Sequence, residues 1–472
     1  MSSDLLRHLP QAVEEKKVSE IDRRSHRRSP GARARLAPLD REILALALPA
    51  LGALVAEPLF VLVDSAVVGR LGTPQLAGLA LASNLLVTVV GLCIFLAYAT
   101  TASVARMLGA GREKEALQEG VDGMWLALGI GVALGIVAWF SAPAAVSAMG
   151  GTGEVAEHAV AYIRASAVGL PGMEVVLAAT GVLRGLKDTR TPLVVASAGA
   201  VANAVINVVL VWGLDLGIAG SGLGTAVSQL GMATALTVVV VRGARRRGAS
   251  LRPHAGGILA NAAAGVPLLI RTASLRGAIL LTVAVATRLG DVTLAGHQIV
   301  SGLWGLAAFA LDALAIAAQA LVGHELGARD TARVRAVLRR CLRWGVAAGA
   351  VLGIAMAAAG WWIAPLFNPD DGVRAAAAAG LAVTGLLLQM AGWVFVLDGV
   401  LIGAGDGRYL AVVGMLTLAV YVPAALAVQA WAPPGAAGLA WLWAAFAGVF
   451  MAARAVTTGW RARGERWIVA GG

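Results

Sequence analysis

The chain reads as an all-α integral membrane protein: twelve transmembrane helices in two pseudo-two-fold-related six-helix bundles. Two observations predict this. Of 472 residues, 58% are hydrophobic and 14% charged, the mean hydropathy is +0.78, and soluble domains carry roughly 25% charged residues. Long apolar runs with few charges mark helices that cross hydrocarbon, about 20 residues each. The second observation is a repeat. Arg70-Leu71-Gly72 with Leu76-Ala77-Gly78 returns as Arg288-Leu289-Gly290 with Leu294-Ala295-Gly296, a shift of 218 residues. The same shift carries Gly181-Val182-Leu183, Gly185, Asp188 and Arg190 onto Gly399-Val400-Leu401, Gly403, Asp406 and Arg408. Two such clusters in one gap-free register are a duplication rather than an accident of an Ala/Gly/Leu/Val-rich composition.

The apolar runs place spans near 42–68, 75–103, 120–143, 158–183, 191–213 and 217–241 in the first copy. In the second copy they fall near 257–287, 293–321, 341–366, 374–402, 409–431 and 436–460. Six spans per copy return the chain to the side it started from, so the repeat is parallel rather than inverted. The 59 glycines suit close helix packing, because lipid supplies no hydrophobic drive between helices. The implied organisation is a basic tail at 1–40, a first lobe at 41–248, a second at 249–462 and a short tail at 463–472.

Charge sets orientation. Lys16, Lys17, Arg23, Arg24, Arg27, Arg28, Arg33 and Arg35 precede the first span. Arg112, Lys114, Arg184, Lys187, Arg190 and the Arg242–Arg252 cluster follow even-numbered spans, as do Arg329, Arg333, Arg335, Arg339 and Arg340. The odd connections are acidic by comparison, with Glu154, Glu157, Asp215, Asp291, Asp370 and Asp371. The positive-inside bias then puts both termini in the cytoplasm, for a multi-pass protein of the cell inner membrane. The net charge of +11 is thus topological, and no nucleic-acid partner is expected; a basic juxtamembrane tail suits anionic lipid. No cleaved signal peptide is read in the first forty residues. Cys93 and Cys341 sit in different spans, which argues against a disulfide or a cysteine metal site. Six scattered histidines offer no catalytic spacing, so an enzyme is not expected. A passive channel is disfavoured by the lack of a repeated selectivity element.

Polar groups at membrane depth carry the expected mechanism, since each is costly unless paired or wetted. Glu57 and Asp64 are seven residues apart on the first span, nearly two turns, hence on one face and roughly 10 Å apart along the axis. Pro49 and Pro58 in that span predict a bent helix. A carboxylate at depth that can take up a proton suits coupling to a shape change. Asn203 and Asn207, four apart on the fifth span, share a face and can hold such an acid. Asn84, Tyr98, Thr100 and Gln229 are further candidates for a substrate cavity. In the second copy Thr282 stands where Asp64 would recur. Arg271 and Arg276 lie in the seventh span, and Asp312 and Gln319 in the eighth; an Arg271–Asp312 pair is expected there. His297 is expected at the interface.

These residues resemble a family. Pro49, Asp64 and Gly69, with Gly181-Val182-Leu183-Arg184-Gly185-Leu186-Lys187-Asp188-Thr189-Arg190-Thr191-Pro192, look like the multidrug and toxic-compound extrusion (MATE) family. Leu183-Arg184-Gly185, Asp188-Thr189 and Arg271-Thr272 are most similar to its DinF-like branch, and Gly217 to Gly220 with Thr225 also matches. The resemblance covers about residues 40–460. It implies a V-shaped pair of bundles and an antiporter exporting amphipathic, often cationic organic compounds in exchange for H⁺ or, second, Na⁺. No other cofactor, and a monomer in the bilayer, are expected. Asp64 matches the family's first-span acid. Asn207 departs from it, since many relatives have aspartate there, and the seventh-span glutamate of other branches is missing. The coupling expected of Asp64, with Glu57, is correspondingly heavier. The alternative reading is a flippase for lipid-linked or amphipathic lipid substrates, for which Arg271 and Arg276 speak.

Overall fold

Residues 38–362 and 370–471 are described by the computed structural model; the basic tail and the expected end of the ninth span lie outside the described residues, as does the Glu57 side chain. Glu42–Gly472 forms one unit. The described residues are helical, without strands. The first six spans are α1 (Pro38–Val68), α2 (Thr73–Gly109), α3 (Glu113–Ala148), α4 (Gly153–Ala167 and Leu170–Gly185), α5 (Arg190–Gly213) and α6 (Gly217–Arg246). The last six are α7 (Ala255–Arg288), α8 (Asp291–Gly327), α9 (Thr331–Gly360), α10 (Asp371–Gly403), α11 (Gly407–Trp431) and α12 (Ala436–Arg463). Eleven are long and apolar enough to cross a membrane unaided, and α4, bent by 53° between its segments, makes twelve. The structure is therefore the expected pair of six-helix bundles.

Local chemistry explains the interruptions. In α4 the break falls at Val168–Gly169, just before Pro171. Proline lacks an N–H and clashes with the preceding turn, and Gly169 N–H closes a tighter bond to Ser166 O at 2.8 Å. In α2 a tight turn at Cys93–Ile94 separates Thr73–Leu92 from Phe95–Gly109. By contrast α1 runs as one helix through Pro49 and Pro58. Membrane helices tolerate proline in this way where neighbouring groups re-satisfy the freed backbone. Several helices also outrun their apolar cores. α2 extends to Gly109 rather than 103, α3 begins at Glu113 rather than 120, and α9 begins at Thr331 rather than 341. Those added turns carry Arg, Lys and Glu, residues that favour the aqueous side of a span's end.

The duplication is written in the backbone as well. Left-handed φ occurs at Gly72 and Gly290, Gly111 and Arg329, Lys187 and Gly405, and Gly217 and Gly435, each pair 218 residues apart. Every one lies at the junction between two helices, where the chain must reverse; glycine does this freely, and Lys187 and Arg329 do it at some cost. Packing repeats too. A Cβ at Gly181 or Gly185 would fall on the carbonyls of Ala97 or Thr101, and one at Gly399 or Gly403 on those of Ala315 or Gln319. Bare glycine thus lets α4 cross α2 in the first bundle as α10 crosses α8 in the second.

The bundles meet through the same two helices. A Cβ on Gly109 would strike the His324 carbonyl, and one on Gly327 the Arg106 carbonyl. These contacts are reciprocal under the 218-residue shift, as a two-fold axis between α2 and α8 requires. Polar clasps flank the crossing. Glu42 takes Lys187 at 3.5 Å and Arg333 at 3.0 Å, and Arg106 donates to Ala404 O at 3.2 Å and to Gly471 O at 3.3 Å. The bundles are closed against each other at this end.

Gly327→Leu places a side chain where backbone now lies, an overpacking worth about 1–3 kcal/mol. Spin labels at Arg112 and Arg329 in lipid discs should move apart in this variant. An unchanged distance distribution would show that the crossing does not hold this end closed.

Candidate functional site

Two cavities flank the α2 turn. The first, about 200 Å³, lies within the first bundle and is walled by α1, α2, α4, α5 and α6, with Asp64, Tyr162, Arg184, Thr225 and Gln229 among its lining. The wall is otherwise apolar, with Phe60, Leu86, Met173 and Leu177. Asp64 is only 4% exposed. Tyr162 donates its hydroxyl to Oδ2 at 2.8 Å, Thr225 donates to the same oxygen at 3.1 Å, and the Asn207 amide donates to Oδ1. Asn203 braces the cage: it accepts from Asn207 Nδ2 at 3.3 Å and donates to Thr225 Oγ1 at 3.5 Å. Both asparagines are fully buried, and Gly224 leaves the room that Asn207 fills. All donors are neutral, and no ion pair of Asp64 occurs among the described residues. Among the described residues the carboxyl group is held by protein dipoles rather than by a charged side chain.

The second cavity, about 230 Å³, opens between the bundles. α2 contributes Gly91 and Tyr98, α7 Arg271 and Arg276, α8 Asp312 and Gln319, α10 Asp398 and α12 Arg454. The expected Arg271–Asp312 pair is not formed. Arg271 donates to Asp398 Oδ2 at 2.5 Å, and Arg454 to the same oxygen. Asp312 instead accepts weakly from the Tyr98 hydroxyl, at 3.4 and 3.5 Å. The reason is that Asp398, on α10, faces both guanidinium groups at once. Gln319 reaches across to Tyr98 O at 2.7 Å and so ties the bundles together.

The cage around Asp64 thus gathers Asn203 and Asn207, with Gln229 nearby in the same cavity, while Tyr98, Arg271, Asp312 and Gln319 gather in the second. Asn84 is exposed on α2, and Thr100 is buried with its hydroxyl bonded back to Leu96 O at 2.6 Å; neither is in the lining of these two cavities. His297, expected at the interface, is buried and stacks on Trp443 at 5.5 Å between ring centroids. Tyr162, Asp398 and Arg454 were not anticipated. The signals existed: the chain has four tyrosines, and a tyrosine in an apolar run needs a partner for its hydroxyl, while Asp398 and Arg454 are charges inside apolar runs. No group of three or more potential metal ligands occurs among the described residues.

Asp398 is the hinge of the second cluster. Asp398→Ala strands two buried guanidinium groups and should destabilise the protein by about 3–5 kcal/mol. Replacing Arg271, Asp398 and Arg454 together with methionine should cost less than Asp398→Ala alone. Thermal unfolding of the purified variants in detergent measures both; the reverse order would show that the cluster is not a buried ion-pair network.

The family model described as MatE matches residues 49–209 and 255–426. Protein DETOXIFICATION 44, chloroplastic, of Arabidopsis thaliana is 30% identical, over 92% of this chain and 84% of its own. DNA damage-inducible protein F of Escherichia coli (strain K12) is 28% identical, over 77% of this chain and 81% of its own. The solved Vibrio cholerae MATE transporter VcmN in the bent form shares the fold, with a TM-score of 0.81 and 20% identity over 91% of this chain and 97% of that one. With the family model spanning most of both bundles, the chain belongs to the MatE family of multidrug and toxic-compound transporters.

Proposed function

We propose that the protein is a secondary antiporter that exports amphipathic, often cationic organic compounds in exchange for H⁺, by alternating access, with coupling at Asp64. The observation that carries this reading is the cage: a carboxylate in the wall of an apolar cavity, held by neutral donors with no fixed cation to keep it charged. Such a group can exchange its proton when the cavity opens to water on either side. A fixed arginine partner would lock it in one state.

Asn207 suits both states. Its Nδ2 donates to the ionised carboxylate; rotated, its Oδ1 accepts from the protonated one. Protonation weakens Asp64 as an acceptor for Tyr162 and Thr225 at Oδ2 and reverses its bond with Asn207, so the contacts that join α1 to α4, α5 and α6 change together. The first bundle repacks, its cavity changes shape, and substrate leaves outward; deprotonation toward the cytoplasm resets it. The gradient has only to supply the difference in binding between two states, a few kcal/mol per cycle. In this reading residues 41–248 and 249–462 are the moving lobes. The protein is a monomer in the cell inner membrane, with both termini cytoplasmic and no cofactor besides the coupling ion. A second reading, Na⁺ in place of H⁺, draws on Asn207 Oδ1, which is buried without a partner beside Asp64 and is an oxygen of the kind Na⁺ prefers.

Asp64→Asn keeps the shape of the cage and removes its titration. In proteoliposomes, substrate export driven by a pH gradient should be lost; export at the wild-type rate would sink the proposal. Asn207→Asp should fold and transport, with an altered dependence on pH or Na⁺. Repeating the wild-type assay with Na⁺ replaced by choline separates the two ions: H⁺ coupling predicts no change.

A further inference from the structure

The second cavity holds more positive charge than its own acids neutralise. Of its three arginines, Arg271 and Arg454 share Asp398. Asp312 is faced by the Tyr98 hydroxyl and, through space, by Arg184 and Arg271. Arg276 has no acid: among the described residues it makes no ion pair, although it sits half-buried at membrane depth on α7. Its guanidinium reaches across to the first bundle and lies over Gly91 of α2, where any side chain would collide with it. Arg271 adds an unused donor, because its Nε is buried without a partner in a residue only 9% exposed.

An arginine at membrane depth is costly unless an acid or water satisfies it. Here two guanidinium donors line one cavity, one unpaired and one partly used, and the remaining wall is apolar, with Ile94, Leu275, Ile279, Phe309 and Phe395. The opposing acids do not cancel them, since three arginines face two carboxylates: Asp398 is shared by Arg271 and Arg454, and the basic neighbours of Asp312 are Arg184 and Arg271 rather than Arg276. The volume of about 230 Å³ is below the roughly 300–1,000 Å³ of drug-sized pockets. It fits a headgroup or a single ring.

We propose that the inter-bundle cavity is a binding site for a small amphipathic anion, one carboxylate or phosphate on an apolar body, with Arg276 as its anchor and Arg271 Nε as a second donor. The site is separate from the cavity that holds Asp64, and its occupancy does not depend on coupling there. Two sources offer this chemistry: a soluble organic anion, and the headgroup of an anionic lipid entering between the bundles.

The test is calorimetric titration of the purified protein in phosphatidylcholine discs, without any gradient, so that a failure of transport coupling cannot affect the result. Benzoate, benzyl alcohol and benzylammonium share one ring and differ in charge; only benzoate should bind. Arg276→Gln should weaken benzoate by about tenfold or more, the scale of one lost charge-assisted contact. Arg276→Lys keeps the charge but not the planar fork, and should fall between. It also guards against misfolding, with a monodisperse elution profile as control. In discs containing phosphatidylglycerol, weaker benzoate binding identifies the lipid headgroup as a competing occupant, and unchanged binding identifies a soluble anion. Absence of benzoate binding, equal binding to Arg276→Gln, or binding of benzylammonium as tight as benzoate would overturn the proposal.

Discussion

A polar group at membrane depth must find its partner inside the protein, and this requirement governs the arrangement of both bundles. Lipid cannot satisfy such a group, so a hydroxyl, amide or charge that reaches a neighbouring span fixes the helix that carries it. The tyrosines show how far this goes. Tyr162 anchors α4 to Asp64 of α1, Tyr98 faces Asp312 of α8, Tyr421 meets Thr282 of α7 at 2.6 Å, and Tyr409 bonds to Thr457 O of α12 at 2.7 Å. Each joins two spans that lipid alone would not hold together. Many of the buried threonines do the opposite and turn inward on their own helix, as Thr100, Thr272 and Thr384 do, which leaves them structurally silent.

The same requirement explains how two copies of one scaffold came to differ. Positions 218 residues beyond Asp64, Tyr162, Asn203 and Thr225 hold Thr282, Gly380, Tyr421 and Trp443. Thr282 bonds Tyr421 directly, whereas the equivalent Asp64 and Asn203 are linked only through Asn207 and Thr225, and the centre of the second copy is a hydroxyl that does not titrate. Around it Trp443, Trp304, Phe446 and Phe450 pack in stacked, tilted and edge-on contacts with Tyr421 and one another. All but Trp304 are 0–4% exposed. Large rings fill the space that small polar side chains keep open in the first bundle. One copy therefore holds an internal cavity at this place, and its twin holds an aromatic core.

Much of this was legible in the chain. Composition decided the medium, the repeat decided the architecture, and the spacing of Asn203 and Asn207 put both amides on one face, where Asn207 meets Asp64 and Asn203 braces it. What escaped were matters of partnership and facing. Arg271 had several acids within plausible reach, and only the approach of α10 shows that Asp398 takes it. Asn84 lies in a span apolar nearly all round, so no periodicity reveals which way it points, and it points outward. The ends of α2, α3 and α9 were missed because hydropathy marks where hydrocarbon ends, whereas helices continue until a left-handed residue stops them.

One feature of α1 links the two ends of the first bundle. It carries Asp64 in the cage and, twenty-two residues earlier, Glu42 in the clasp with Lys187 and Arg333. As an unbroken helix that separation is roughly 33 Å. No relay of intervening side chains is then needed between the two sites, since a stiff rod conveys rotation without one. A twist of α1 that re-aims the carboxylate in its cage also re-aims Glu42 between its two cations. The cage and the clasp are thus carried on a single piece of backbone.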